Sequence, residues 1–314
     1  MTPIKVLIVV GPTSSGKSAL AVEIARKFGG EVISADSRQV YRGLNIGTGK
    51  VTKREMRGIP HHLLNEMSPH CTFSAHDFQI RALSAIADNA RRGTIPIVCG
   101  GTGFYIDALM GRIPLPDVPP NKTLRAKLKK MTATQLFAML KKRDPRRAQS
   151  MNSPSERNNK VRLIRALEIA TAGKSRLVAR APLPTYDALW IGIAPPLNTL
   201  RKKINTRLSA RIRRGMIAEA RRLHAGGLSY KRMHELGLEY RSLARFLQNK
   251  ISRTEMEEEL QYAIWHYAKR QIRYRKRNKN IQWFKKPDVQ KISKTIRDWI
   301  KNNPHEGGPT RNRT

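Results

Sequence analysis

Cysteine is almost missing from this 314-residue chain: Cys71 and Cys99 are the only two. That excludes a disulfide framework and a multi-cysteine zinc site, and it fits a reducing cytoplasm. Acidic residues are scarce, with 23 Asp+Glu against 61 Lys+Arg. No apolar run approaches the roughly 20 residues that a membrane-spanning helix needs. The opening MTPIKVLIVVG has too short an apolar stretch for a signal peptide and no small-residue cleavage site. A first β-strand is expected there instead. No internal repeat is present.

What remains is a strongly basic chain with a formal net charge of +38 and 39% hydrophobic residues, enough for a core. Such a charge predicts a polyanionic partner, nucleic acid before an anionic membrane. It is also segregated. Residues 1–110 carry net +5, residues 111–200 net +13, and residues 201–314 net +20. A generally basic, solvated surface would account for the total better than for this segregation.

The order of elements points to an α/β fold. Ile4–Val10 is an unbroken apolar run, the pattern of a strand buried on both faces. Lys17–Phe28 has helical periodicity and ends at Gly29-Gly30. Strands are expected at 31–35 and 95–99, and a helix at 78–90 capped by Ser74 and Asp77. This alternation implies a parallel sheet with helices on both faces. A Pro-rich break at 112–120 marks a boundary. Basic helices are expected at 124–142 and 161–172, a strand at 189–193, helices at 197–213, 215–224, 240–249 and 254–277, and a last strand at Ile281–Phe284. The expected organisation is a P-loop-type core from 1–117 and 186–300, a helical insertion at 118–185, and a disordered tail at 301–314.

One motif has a direct physical meaning. Gly11-Pro12-Thr13-Ser14-Ser15-Gly16-Lys17-Ser18 matches G-x-x-x-x-G-K-[ST] between a strand and a helix. Its backbone N–H groups can converge on phosphate oxygens, Lys17 adds a full charge, and Ser18 can ligate Mg²⁺. The motif implies a bound diphosphate or triphosphate, not ATP hydrolysis. The apolar strand 95–99 ends in Gly100-Gly101-Thr102-Gly103 rather than in a metal-binding Asp, which weakens a motor ATPase reading. This turn is a second candidate phosphate-facing loop, with turn chemistry alone as the competing role for Thr102. Asp36 follows the second strand and is expected to face the first loop, as a general base, an indirect metal ligand or a helix cap. His61, His62 and His70 lack metal-ligand spacing, and Asp77 reads as a cap.

The series of motifs resembles one family, the tRNA dimethylallyltransferases (tRNA isopentenyltransferases). The resemblance rests on the loop at 11–18, Asp36-Ser37-x-x-Val40-Tyr41, Asn45-Ile46-Gly47-Thr48-Gly49-Lys50 and Pro60-His61-His62-Leu63. It continues through Phe73-Ser74-Ala75-x-Asp77-Phe78, Gly100-Gly101-Thr102-Gly103-x-Tyr105, Arg162-Leu163-Ile164-Arg165-Ala166-Leu167-Glu168, Arg207 and Gly237-Leu238-Glu239-Tyr240-Arg241. It covers roughly residues 4–285. Ser14 stands where the family often has Ala, Ser18 where it frequently has Thr, and Glu239 is extra beside shorter versions of its motif. The zinc finger of eukaryotic members is missing, which favours a bacterial-type enzyme.

The resemblance implies transfer of a dimethylallyl group from dimethylallyl diphosphate to N6 of adenosine 37, immediately 3′ of the anticodon, in tRNAs reading codons that begin with U. It implies Asp36, Thr102 and Arg207 as catalytic residues, the 11–18 loop as the diphosphate cradle, and Mg²⁺ on Ser18. It further implies tRNA contacts by Asp36, Ser37, Arg38 and Gln39, by Val161, Arg162, Leu163, Ile164 and Arg165, and by Arg241. A cytoplasmic monomer engaging the anticodon arm, with no membrane partner, follows. The competing readings are an adenylate isopentenyltransferase acting on free adenine nucleotide, a P-loop kinase, and an RNA-binding protein that uses nucleotide as a switch. The first would have no need of the positive charge beyond residue 110.

Overall fold

The computed structural model describes residues 3–116, 118–172 and 183–301. Among them the chain forms β1 (Ile4–Val10), α1 (Lys17–Phe28), β2 (Gly30–Ser34), α2 (Lys53–Met56), β3 (His61–His62), α3 (Ala75–Arg91), β4 (Ile95–Gly100) and α4 (Gly103–Leu109). There follow α5 (Lys122–Lys129), α6 (Ala133–Arg143), α7 (Pro145–Ser150), α8 (Pro154–Arg157) and α9 (Lys160–Ala172). The chain then returns as β5 (Tyr186–Ile193), α10 (Leu197–Arg213), α11 (Met216–Ala225), α12 (Tyr230–Leu236), α13 (Leu238–Leu247), α14 (Arg253–Arg275), β6 (Ile281–Phe284) and α15 (Val289–Lys301). None of the described helices is long and apolar enough to cross a membrane.

The six strands form one sheet in the order β3-β2-β4-β1-β5-β6, and every pairing is parallel. The continuous apolar run of β1 has a simple cause: helices cover both faces of the sheet. Val6, Ile8 and Val10 join the core that includes Phe78 of α3, Leu200 of α10 and Ile264 of α14. Leu7 and Val9 face the other way, onto Leu20 and Ile24 of α1 and Ile292 and Ile296 of α15. Because β1 is central, the loop that leaves it lies between the carboxyl ends of β4 and β5, where parallel sheets place ligands.

Several expectations shift in detail. The single helix expected at 124–142 is two, α5 and α6, because Thr132 starts a new helix through a capping box with Gln135. The expected cap of α3 is present, with Ser74 and Asp77 each satisfying a backbone N–H of the other. The short elements α2, α4, α7, α8, α12 and β3 and the terminal α15 have no counterpart in the sequence pattern. The expected tail beyond residue 301 lies outside the described residues.

The chain divides into two compact units, Met1–Ile113 with Pro184–Thr314, and Pro114–Leu183. The second has its own core, in which Leu128, Leu136, Leu140, Leu163 and Leu167 are at most 2% exposed. Buried Glu168 anchors it, accepting two guanidinium hydrogen bonds from Arg125 at 2.7 Å and the Asn121 N–H at 2.8 Å. Unpaired, that carboxylate would be costly to bury.

Candidate active site

The loop at 11–18 has the backbone that phosphate binding requires. Gly16 sits at φ +95°, in the left-handed region that glycine tolerates best, and caps α1 without a side-chain hydrogen bond. The first amides of α1 are therefore left to a ligand or water. Lys17 Nζ donates to the Pro12 carbonyl at 3.3 Å, bending the side chain back over the loop. Burial lowers the Lys17 ammonium pKa, opposed by Asp36, and Arg207 and Arg275 push it further down. An incoming diphosphate would offset that cost.

The second glycine turn has a different role. β2 and β4 converge so closely that a Cβ on Gly100 would lie 2.1 Å from the Ala35 carbonyl oxygen. The Thr102 N–H donates to that same oxygen at 3.1 Å, and Thr102 Oγ1 accepts the Ser37 N–H at 3.1 Å. Thr102 thus ties the 36–39 turn to β4. Within that turn, Asp36 Oδ1 accepts the N–H groups of Arg38 at 2.9 Å and Gln39 at 3.3 Å. This is an Asx-type turn, and it holds the carboxylate in one orientation. No helix follows Asp36, so it does not serve as the helix cap that the sequence also allowed; it closes a turn and lines the cavity.

Arg207 comes from α10, far along the chain. It donates to the Gly49 carbonyl at 2.8 Å, and Arg211 donates to the Gly47 carbonyl at 2.7 Å. The same 45–50 loop is gripped from beneath by buried Glu219, which accepts the N–H groups of Asn45, Ile46 and Gly47 at 3.0, 2.7 and 2.8 Å and the Tyr240 hydroxyl at 2.8 Å. Buried Lys50 donates to the Tyr41 carbonyl and to Asn65, and burial pushes its pKa down to about 8.

These pieces surround one cavity. Thr13, Lys17, Ser18, Asp36, Arg38, Gln39 and Arg207 all line it, so the structure brings part of the phosphate loop, the Asp36 turn and Arg207 into one space. Val32, Val51, Leu64, Leu238 and Ile264 supply an apolar wall. Thr102 is not on the lining; its side chain is bound to the Asp36 turn through the Ser37 N–H. Ser37 and Arg241 line a neighbouring cleft with Arg38. In the 161–165 stretch, Leu163 and Ile164 are core side chains, 0% and 7% exposed, because α9 packs that face inward. Only Val161, Arg162 and Arg165 of the stretch have side chains left for a ligand, and Arg162 is paired with Glu156 and Arg165 with Glu168.

The sequence reading missed residues that α14 contributes. Gln271 Oε1 accepts the Thr13 N–H at 2.8 Å, and its Nε2 donates to the Gly101 carbonyl at 3.0 Å. One side chain bridges the two glycine-rich loops. Tyr267 lines the cavity, and burial followed by the Asp36 charge pushes its phenol up to about 12. Arg275 is 3% exposed with both terminal nitrogens unpartnered, and burial pushes its guanidinium down to about 10. A signal was available: Met256, Leu260, Ile264 and Ala268 mark the buried stripe of α14, and its next two turns carry Gln271 and Arg275. Polar residues continuing an apolar stripe mark a buried polar site.

Comparison with known proteins identifies the family. The family described as IPP transferase matches residues 39–278. The chain is 41% identical over 288 residues to tRNA dimethylallyltransferase 2 of Treponema denticola, spanning 88% of this chain and 94% of that one. It is 40% identical over 265 residues to tRNA dimethylallyltransferase 1 of Geotalea uraniireducens, with 84% and 86% covered. Its fold resembles the full-length tRNA isopentenylpyrophosphate transferase of Bacillus halodurans, with a TM-score of 0.72 at 31% identity over 96% of this chain and 98% of that one. A eukaryotic dimethylallyltransferase acting on tRNA aligns with a TM-score of 0.81 at 25% identity, covering 96% and 80%. The phosphate loop, the Asp36 turn and these likenesses converge, and the chain belongs to the IPP transferase family.

Proposed function

We propose that this enzyme transfers the dimethylallyl group of dimethylallyl diphosphate to N6 of adenosine 37, 3′ of the anticodon, in tRNAs that read codons beginning with U. The observation that carries the proposal is the cavity lining: phosphate-loop Lys17 and Ser18, Arg207, the Asp36 carboxylate and an apolar wall share one space. Each part has a task in that reaction. An exocyclic adenine amine is a weak nucleophile because its lone pair is delocalised into the ring. Asp36 accepts its proton as N6 bonds to C1 of the allyl group. The C1–O bond breaks, and the electron pair leaves on diphosphate. Lys17, the loop amides and Arg207 stabilise that growing charge. The apolar wall holds the five-carbon tail and keeps water from the cationic allylic carbon.

Thr102 serves by fixing the Asp36 turn, and Gln271 by fixing the two loops against each other. Among the described residues no cluster of three or more His, Cys, Asp or Glu could hold a metal ion. The oxygen donors present, Ser18 and Asp36, suit Mg²⁺, which takes few protein ligands and completes its shell from phosphate and water. Ser18 would hold it, and its chemistry when bound is to neutralise diphosphate charge. The target base must leave the anticodon stack to reach Asp36. Ser37, Arg38, Gln39 and Arg241, with Val161, Arg162 and Arg165 on α9, are the proposed tRNA contacts. The enzyme works as a cytoplasmic monomer in this reading. The segregated positive charge favours tRNA over free adenine nucleotide as acceptor.

Labelled dimethylallyl diphosphate incubated with tRNA, AMP, or neither tests the proposal. Label is expected in tRNA alone. Label in AMP but not tRNA would replace it with an adenylate isopentenyltransferase, and ATP-dependent phosphoryl transfer would replace it with a kinase.

A further inference from the structure

One exposed face of α14 has a composition that the proposed reaction leaves unused. Glu259, Tyr262, Ala263, His266, Tyr267 and Arg270 follow at helical spacing and line a single cleft. The opposite wall is the turn at Ser37 and Arg38 together with Arg241 at the start of α13. Tyr262 is 68% exposed, the most exposed aromatic of the described residues. A lone exposed aromatic is unremarkable. Tyr262 differs in three ways. Its ring packs on His266, with centroids 4.1 Å apart and planes inclined by 39°. Desolvation, then Lys269 and Arg270, hold the His266 pKa below its ordinary value. And the cleft adjoins the cavity: Arg38, Leu238 and Tyr267 line both.

The charge of the cleft fits a polyanion. Its acidic residue, Glu259, is engaged by Arg245. That leaves Arg38, Arg241 and Arg270 to set the potential, with Arg270 lying over the Tyr267 ring at 5.9 Å. Flat aromatic faces interleaved with guanidinium groups are the chemistry of single-stranded nucleic acid: the bases stack while the backbone is neutralised.

We propose that Tyr262, backed by His266, is a stacking platform for an unstacked base of the anticodon loop next to the target adenosine. The inference rests on the proposed tRNA reaction. It adds a way to hold the loop open: pulling one base into the cavity removes the stacking of its neighbour, and Tyr262 replaces that lost surface. Arg38 and Arg241 are placed to meet the flanking phosphates.

The test uses an anticodon stem–loop carrying 2-aminopurine at the base on either side of the target. Wild-type enzyme is expected to quench the probe at one of the two positions. Tyr262→Ala should abolish that quench and weaken stem–loop binding by about 10-fold or more, the alanine-substitution scale for one stacked base. Tyr262→Trp should restore both. Binding of dimethylallyl diphosphate without RNA should be unchanged in both variants. Wild-type affinity and quench in Tyr262→Ala would overturn the platform. So would polyglutamate binding that depends on Tyr262 as strongly as stem–loop binding does. Failure of the underlying reaction reads differently: wild-type enzyme would then bind the stem–loop without transferring label to it.

Discussion

Two glycine-rich turns leave neighbouring strands of the same sheet, and they do opposite things. The turn after β1 leaves its helix start uncapped and presents Lys17 and Ser18 to the cavity. The turn after β4 spends its groups internally: Thr102 binds Ser37 and the Ala35 carbonyl, and the Gly101 carbonyl accepts Gln271. One turn is left open for a ligand, and the other holds the Asp36 turn, which carries the proposed base, against the end of β4. Glycine content alone does not separate these roles. The difference lies in whether the polar groups of the turn already have partners.

The sharpest way to break this comparison is to remove one group from each side of the cavity. Asp36→Asn keeps the shape but removes the proton acceptor, and Lys17→Ala removes charge from the open turn. Each is expected to lower single-turnover transfer by about 10²–10⁴-fold, with far-UV circular dichroism unchanged. Near-normal turnover of Asp36→Asn would remove Asp36 as the base. Thr102→Val should cost less, about 10-fold, because it loosens the Asp36 turn by one hydrogen bond. The loss should fall on kcat rather than on diphosphate binding, and Thr102→Ser should recover it. If Thr102→Val instead raises KM for dimethylallyl diphosphate, the second turn is also a phosphate loop and the contrast fails.

Salt dependence probes the wider molecule. The excess charge beyond residue 110 predicts that tRNA affinity falls steeply between about 50 and 200 mM salt, because phosphate contacts release counterions. Dimethylallyl diphosphate, held in the cavity, should respond less. A flat tRNA response in filter-binding assays would mean that the basic segments do not hold the backbone.

The smallest effect concerns the start of β2, the strand that leads to the Asp36 turn. Glu31 of β2 pairs with Arg92 and His62, and the Arg92 hydrogen bond lowers its pKa from 4.5 to about 2. Its stabilising contribution is therefore complete above about pH 4.5 and is lost as pH falls toward 2. Denaturation midpoints of the wild type should drop through that window more than those of Glu31→Gln. Parallel curves would show that the pair adds nothing.

Much of this is legible in the sequence. The run Ile4–Val10 and the loop after it follow from side-chain burial and from the few backbones that can wrap a phosphate. The cap of α3 was readable because Ser74 and Asp77 act on neighbours three residues away. Gln271 was not, since it meets Thr13 across 258 residues. Leu163 and Ile164 fall in a motif whose resemblance implies tRNA contact, yet they are buried, because a motif carries no record of which helix face turns inward.

By itself, then, the chain determined the local chemistry: a phosphate loop, an acid after β2, a polyanion-facing charge and the order of the longer strands and helices. These depend on neighbours a few residues apart or on composition. Tertiary structure decided which of those groups share a space. It placed Arg207 of α10 over the 45–50 loop, set Gln271 between two turns, assigned Thr102 to holding rather than lining, and ranged Tyr262 and His266 along the cleft beside the cavity. The physical reason is that such contacts are set by how helices pack on a sheet, and packing joins residues whose separation along the chain carries no periodic or local signature.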